Sequence, residues 1–406
     1  MKILILSQYF PPETGAPQNR LFDLAARLKN KGVDITVLTA MPNYPQMIIH
    51  KEYKGKVYAF EIMNDLKIHR AYIYAGRSKS FASRLLNYFS FVFSSLVTGI
   101  IKISKTDYII CESPPLFLGI TAYLLSRFKR AKMIFNVSDL WPESAEKLGL
   151  VKNKFLLKTS VKLEEFLYRK SFLISGQTKG IVKNISGRFP QKKVYWLPNG
   201  ADFSMYNPHS DDSRWRKQNG FSGSDILFLY AGIIGHAQGL DVILKAAEKL
   251  KDLPHVKYIL LGEGPVKDDL LEMKKKMHLE NVFFYESVSK SQMPGIIKSV
   301  DAGIIPLKKL DLFLGAIPSK IFELLAMEKP ILLGVDGEAR ELFIEEAKCG
   351  IFFKPGDAED LAVQVRLMIG NADEMRAMGE RGREYVYKNF NRDNIAENFW
   401  QLLNQN

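Results

Sequence analysis

The chain has 406 residues, 47% hydrophobic and 25% charged, enough for two or three domains with cores of their own. These numbers exclude collagen, coiled-coil, low-complexity and disulfide-rich secreted classes. The net charge of +13 is uneven, with 31 basic and 13 acidic side chains in residues 1 to 200 and 26 against 31 in residues 201 to 406. An anionic partner is therefore expected at the first half: nucleic acid, an anionic membrane or a phosphorylated ligand.

The opening MKILILSQYF is too short and too quickly ended by turn residues for a secretory leader, and reads as a first buried strand. A Pro/Gly loop follows. Leu21, Leu24, Ala25 and Leu28 then stand at helical spacing, Gly32 closes that helix, and Val33 to Thr39 is a second β-rich run. Strand, helix, strand in that order is a parallel βαβ unit. Leu85 to Ile103 is apolar almost throughout and nearly long enough to span a bilayer. A span would split one βαβ sheet across the membrane. The segment instead reads as a buried or partly exposed helix with a basic approach at Arg77, Lys79 and Arg84, able to sit in a lipid interface. Residues 151 to 200 add 11 Lys/Arg against Glu164 and Glu165.

The order restarts at residue 225. Asp225 to Ala231 is a strand, Gly232 to Gly239 a glycine-bearing loop, Leu240 to Lys251 a helix and Val256 to Leu261 a strand. Further strands begin near residues 282, 302, 330 and 350, and the chain is helical beyond Asp373. Continuous apolar strands belong in parallel sheets covered on both faces. The expected architecture is α/β, two facing doubly wound domains: 1–200, 201–385, and a C-terminal helix over 386–406 returning to the first domain. The turn-rich stretch 197 to 213 marks the join. Ligands then belong in the loops after the strands, in a cleft that the two domains face. Cys111 and Cys349 cannot build a disulfide framework or a zinc site, which favours a reducing compartment.

The stretches PPETGAPQNRLFDLAARLKNKGVDITVLTAMPNYP, NVSDLWPES, LPNGAD, YAGIIGHAQGL, LLGEGP and IPSKIFELLAMEKPIL together resemble the family 4 retaining glycosyltransferases of the GT-B fold. More narrowly they resemble the branch that builds bacterial O-antigen and capsule and includes N-acetyl-L-fucosamine transferases. The resemblance implies a nucleotide-sugar donor held mainly by the second domain, UDP being favoured, and an acceptor held mainly by the first. It also implies metal-independent transfer with retention and no cofactor. No Asp-X-Asp triplet occurs in the chain. The leaving diphosphate must then be neutralised by backbone N–H groups, helix termini and cationic side chains.

Gly15 and Ala16 form a small-residue turn after the first strand, read either as a tight turn or, through the resemblance, as a donor-facing loop. Glu13, Gln18 and Arg20 flank it as acceptor-side candidates, and Arg20 serves either an acceptor phosphate or a helix face. Asp139 ends a strand, well placed for sugar hydroxyls, with Trp141 as a possible wall. Ser138 precedes it where relatives carry a donor-contacting His. On the loop with Gly235, His236 and Gln238, relatives place Arg and Lys where this chain has Ile233 and Gln238. Lys320 is the first choice to replace those cations, with Lys308, Lys309 and His236 behind it. Glu323 matches the carboxylate that takes the ribose hydroxyls, while its usual companion falls on Gly315, pointing to a donor poor in hydroxyls such as a deoxy sugar. Glu263 resembles the turn beside the nucleobase.

Asp139 and Lys320 are the residues expected to act on the reacting centre. The resemblance implies that the leaving diphosphate takes the acceptor proton, so no general base is assigned. The basic, apolar first half fits a polyprenyl-diphosphate-linked acceptor and a peripheral position on the inner face of the cell membrane. No recognised nucleic-acid module accompanies the charge, so nucleic acid is not an expected partner. Two other readings stand: a nucleotide-sugar 2-epimerase of the same fold, or a membrane scaffold that has lost catalysis.

Overall fold

Residues 14, 45–46, 77–80, 148–150, 152, 210–213 and 406 aside, the computed structural model describes the whole chain. Arg77 and Lys79 of the basic approach lie outside the described residues, as does the side chain of Arg84. The chain divides into two compact units, Met1–Asn199 with Asp393–Asn406, and Gly200–Arg392.

The first unit is built on eight strands: β1 (Lys2–Leu6), β2 (Asp34–Ala40), β3 (Tyr58–Met63), β4 (Leu66–Ala71), β5 (Tyr108–Ser113), β6 (Lys132–Val137), β7 (Leu173–Gly176) and β8 (Val194–Trp196). They run in the order β3-β4-β2-β1-β5-β6-β7-β8. Every ladder is parallel except β3 with β4. That hairpin turns through Asn64 and Asp65, both at positive φ, the geometry that a two-residue hairpin loop demands and that Asn and Asp tolerate.

Side chains alternate across β1. Leu4 and Leu6 join a core with Phe91, Leu118 and Leu125 on one face, and Ile3 and Ile5 join Leu24, Leu28 and Phe399 on the other. Helix Ala16–Asn30 covers the second face, with proline in its first turn, where the missing N–H costs nothing. The helix Arg392–Asn404 covers it too: Tyr108 donates to the Leu403 carbonyl at 2.9 Å and Arg27 pairs with Asp393 at 2.7 Å. The sequence reading started the returning helix at 386, yet the helix Ala372–Phe390 runs through that position and the return begins at Asp393.

The second unit has six strands, β9 (Ile226–Ala231), β10 (Val256–Leu261), β11 (Val282–Tyr285), β12 (Ala302–Pro306), β13 (Ile331–Gly334) and β14 (Gly350–Phe352). Their order is β11-β10-β9-β12-β13-β14, all parallel. Phe228, Tyr258, Ile243, Leu260 and Val365 share its core. Winding goes one way from the first strand and then reverses, between β1 and β5 in the first unit and between β9 and β12 in the second. A doubly wound sheet takes its ligand beyond the carboxyl ends at that reversal.

Candidate active site

In the second unit the reversal is floored by two turns packed backbone to backbone. Gly232 follows β9 at φ +139° and Gly262 follows β10 at φ +148°. Gly232 N–H donates to Leu261 at 2.9 Å, Gly262 N–H to Tyr285 at 3.0 Å, and Ile234 N–H to Glu263 at 2.8 Å. A Cβ on Gly262 would run into the Gly232 carbonyl oxygen, so both the backbone conformation and the space demand glycine.

Lys320 opens the helix Lys320–Ala326 and lies over this floor. Its Nζ stands 3.7 Å from the centroid of the Tyr230 ring, and a Cβ on Gly232 would come within 3.3 Å of it. The Tyr230 hydroxyl donates to the Ile233 carbonyl at 2.6 Å, which pins the ring. Desolvation pushes the Lys320 ammonium down to about 7, against the opposing charge of Glu323. One turn on, burial raises Glu323, while Lys290, the Tyr206 hydroxyl and Lys320 hold it down. A buried ammonium supported mainly by a ring face gains from an arriving anion.

The rest of the loop is less uniform. A Cβ on Gly235 would meet the Gln238 side-chain oxygen at 2.9 Å, so that amide lies against the turn. His236, Lys308 and Lys309 are exposed, and Lys308 N–H ties to the Ala237 carbonyl at 2.9 Å. Glu263 turns its carboxylate to Lys267 at 2.6 Å, while its carbonyl accepts from Ile234.

In the first unit the residues expected at the acceptor are largely taken up by the protein itself. Glu13 is buried. Its carboxylate accepts N–H groups of Asn43 at 2.8 Å, Tyr44 at 2.8 Å and Phe10 at 3.1 Å. It thereby ties the loop after β1 to the loop after β2, and burial raises its pKa despite those donors. Gln18 is buried with its side-chain oxygen folded onto Gly15, and Ala16 begins the helix. Arg20 is buried too, its Nη2 donating to Glu112 and to Ser138 Oγ, both at 2.7 Å. These contacts are an internal ion pair and hydrogen bond, a role apart from the two that the sequence left open for Arg20.

Glu112 is the hub that the sequence reading missed. It accepts from Arg20, from Asn136 Nδ2 at 2.5 Å and from the Ser138 hydroxyl, and Asn136 is held in turn by Ser175 at 2.7 Å. The signal was a lone acid at the end of an otherwise apolar strand. Asp139 stands at the edge of this cluster, with solvent at its side chain. Crowding by protein lifts its carboxyl to about 6, Glu112 adding to the shift and Arg20 opposing it. Trp141 packs edge-on against Phe117 at 5.4 Å.

The model of the family "Glycosyl transferases group 1" matches residues 211–385, nearly the whole second unit. The chain is 24% identical over 413 residues, 98% of each protein, to WcaI of Escherichia coli (strain K12), a glycosyl transferase assigned to colanic acid biosynthesis. Its fold resembles sucrose-phosphate synthase of Thermosynechococcus elongatus, with a TM-score of 0.78 at 16% identity over 100% of this chain and 98% of that one. It also resembles HepE of Anabaena in complex with UDP and glucose, with a TM-score of 0.75 at 17% identity over 100% of both. The fold is therefore GT-B, and residues 211–385 within it match the model of the glycosyl transferases group 1.

Proposed function

We propose that the chain transfers a sugar, with retention and without a metal ion, from a UDP-sugar to a polyprenyl-diphosphate-linked saccharide in bacterial cell-surface polysaccharide synthesis. The work is done at the inner face of the cell membrane. The observation that carries this reading is Lys320, whose ammonium rests on the Tyr230 ring beside Gly232 at the sheet reversal, with Glu323 one turn away. This is a cation poised for a diphosphate and a carboxylate for vicinal hydroxyls. The colanic acid assignment of WcaI supports an extracellular polysaccharide as product, and the UDP and glucose bound by HepE support UDP as carrier. Lys320 beside the Gly232 backbone is the counter-charge that this reading assigns to the diphosphate. Gly315 in place of a second carboxylate suits a deoxyamino hexose such as N-acetyl-L-fucosamine.

Calorimetry of UDP, GDP, dTDP and ADP in the presence of a chelator tests it. Selective binding of UDP, weakened tenfold or more by Lys320→Ala and by Glu323→Ala, is expected. Loss of all four nucleotides in a folded protein would instead leave a scaffold without catalysis.

A further inference from the structure

Helix Phe81–Lys102 is arranged inside out. A helix on a soluble protein turns its large apolar residues to the core and its small polar ones to water. Here the inward positions include Asn87, Ser95 and Gly99, with Phe91 the one large side chain fully buried among the described residues of the helix. Ser95 Oγ lies 3.4 Å from Thr121 Oγ1, Thr121 donates to the Val92 carbonyl at 2.7 Å, and a Cβ on Gly99 would meet Leu125 at 2.5 Å. Small residues therefore seat this helix tightly on helix Leu118–Lys129. Its outer side carries Leu86, Phe89, Phe93, Val97, Ile100 and Ile101, with Phe93 70% and Ile101 68% exposed. Only 22% of the window Leu85–Lys102 is buried.

The stripe does not end with the helix. Lys102 lies over the Tyr58 ring at 5.4 Å, which joins the helix to the outer strand β3, where Phe60 and Ile62 are exposed on the same side as Tyr58. Along the neighbouring helix Leu124 and Phe128 are exposed as well. Large apolar side chains exposed in number along one helix and its neighbours mark an interaction face.

Charge identifies what it meets. From residue 66 to 106, and again from 113 to 138, the chain contains no Asp or Glu, and these stretches supply the helices and β4. Lys67, Lys102, Lys105, Arg127 and Arg130 are exposed around the apolar side chains. Arg127, Arg130, Lys132 and Lys170 line an open depression of about 660 Å³ at the end of helix Leu118–Lys129, with Phe172 in its wall. A second copy docked by two-fold symmetry would set this basic rim against itself. An anionic leaflet offers hydrocarbon for the stripe and phosphate for the rim at once.

We propose that helix Phe81–Lys102, the end of helix Leu118–Lys129 and the outer face of β3 form one seat on an anionic phospholipid bilayer. The long helix lies in the plane of the interface and does not cross it. β4 and β5 at its two ends belong to one sheet, which a crossing would split. The seat adjoins the β1 loop, since Asn87 accepts from Gln8 Nε2 at 2.9 Å and donates to the Tyr74 carbonyl at 2.6 Å. A lipid-borne acceptor thus reaches the first unit's loops without leaving the membrane. That last step rests on the function proposed above; the seat itself does not.

The test is sedimentation of the full chain with vesicles of phosphatidylglycerol and phosphatidylcholine, or of phosphatidylcholine alone. Binding to the anionic vesicles is expected to fall at least tenfold for Phe93→Ser with Ile101→Ser. It should also fall about fivefold for each charge removed by Lys102→Gln and Lys105→Gln, and with added salt. Val363→Ser with Leu367→Ser, at exposed apolar positions of the second unit, should change nothing. Equal binding by the Phe93/Ile101 variant and the parent overturns the proposal. So does a dimer that the same variant dissociates, in a protein that ignores vesicles. Phe93→Trp gives an independent readout, since its fluorescence must be quenched by brominated lipid beyond that of the parent chain. UDP binding is measured on each variant; its absence in the parent strikes the donor reading and leaves the seat standing.

Discussion

Lys320 holds a charge that its surroundings disfavour, and this ties donor binding to pH. Burial depresses the free ammonium to about 7, so it is largely protonated below that pH and largely neutral above it. A bound diphosphate favours the protonated form and raises its pKa, so binding takes up a proton between the free and bound values. With a UDP-sugar, whose diphosphate diester does not titrate near neutrality, affinity should be highest below pH 7. It should then fall up to tenfold per pH unit above it. Lys320→Arg, charged throughout, should flatten the profile. Calorimetry in buffers of different ionisation enthalpy checks the proton uptake, and a profile unchanged in Lys320→Arg would remove Lys320 from the diphosphate. The floor beneath it is as exacting. Gly262→Ala forces a Cβ toward the Gly232 carbonyl oxygen at a positive φ, and should cost about 2 kcal/mol or more. Donor binding should be lost along with stability, whereas Glu263→Ala, which removes an exposed partner of Lys267, should leave thermal stability nearly unchanged.

Elements were legible where one period ruled them. The strands β1, β2 and β9 to β14, the helix closed by Gly32 and the loops after the strands all follow from apolar runs and turn residues. The hairpin of β3 and β4 was not read, because its strands alternate only weakly and its turn is an Asn-Asp pair without glycine. The buried network was missed for a different reason: Arg20, Glu112, Asn136, Ser138 and Ser175 come from four separate segments and meet only across the ladders of β5, β6 and β7. No spacing announces such a meeting. Its energetics are testable. Arg20→Ala leaves Glu112 buried beside its two remaining donors, a loss of about 3 to 5 kcal/mol. Arg20→Ala with Glu112→Gln removes the charge but keeps an acceptor for Asn136 and Ser138, and should recover more than half of that loss in denaturant melts. No recovery would mean that the guanidinium stabilises by packing rather than by pairing. In the single variant the Asp139 carboxyl, which Arg20 holds down, should titrate still higher.

At the scale of the whole molecule, the chain leaves the first unit at Asn199, builds the second, and returns at Asp393. The last helix completes a sheet face begun by the first strand, for Ala396, Phe399 and Leu403 are buried with Ile3, Ile5 and Leu28. Ending the chain after Arg392 uncovers those side chains and removes the Tyr108 hydrogen bond to Leu403 and the ion pairs of Arg27 and Lys31 with Asp393 and Glu397. Two large side chains and one small one are worth about 5 kcal/mol of burial. That is of the order of a domain's whole stability, so the first unit should melt at a markedly lower temperature or fail to fold. The second unit has its own core and contributes none of its sheet to the break. Its melting transition should remain, and UDP binding should stay within about threefold, because Gly232, Lys320 and Glu323 all lie within Gly200–Arg392. Calorimetric scans of the truncated and full chains, with and without UDP, separate the outcomes. If both transitions vanish together, the two units fold as one cooperative body, and the returning helix supports the donor site as well as the acceptor side.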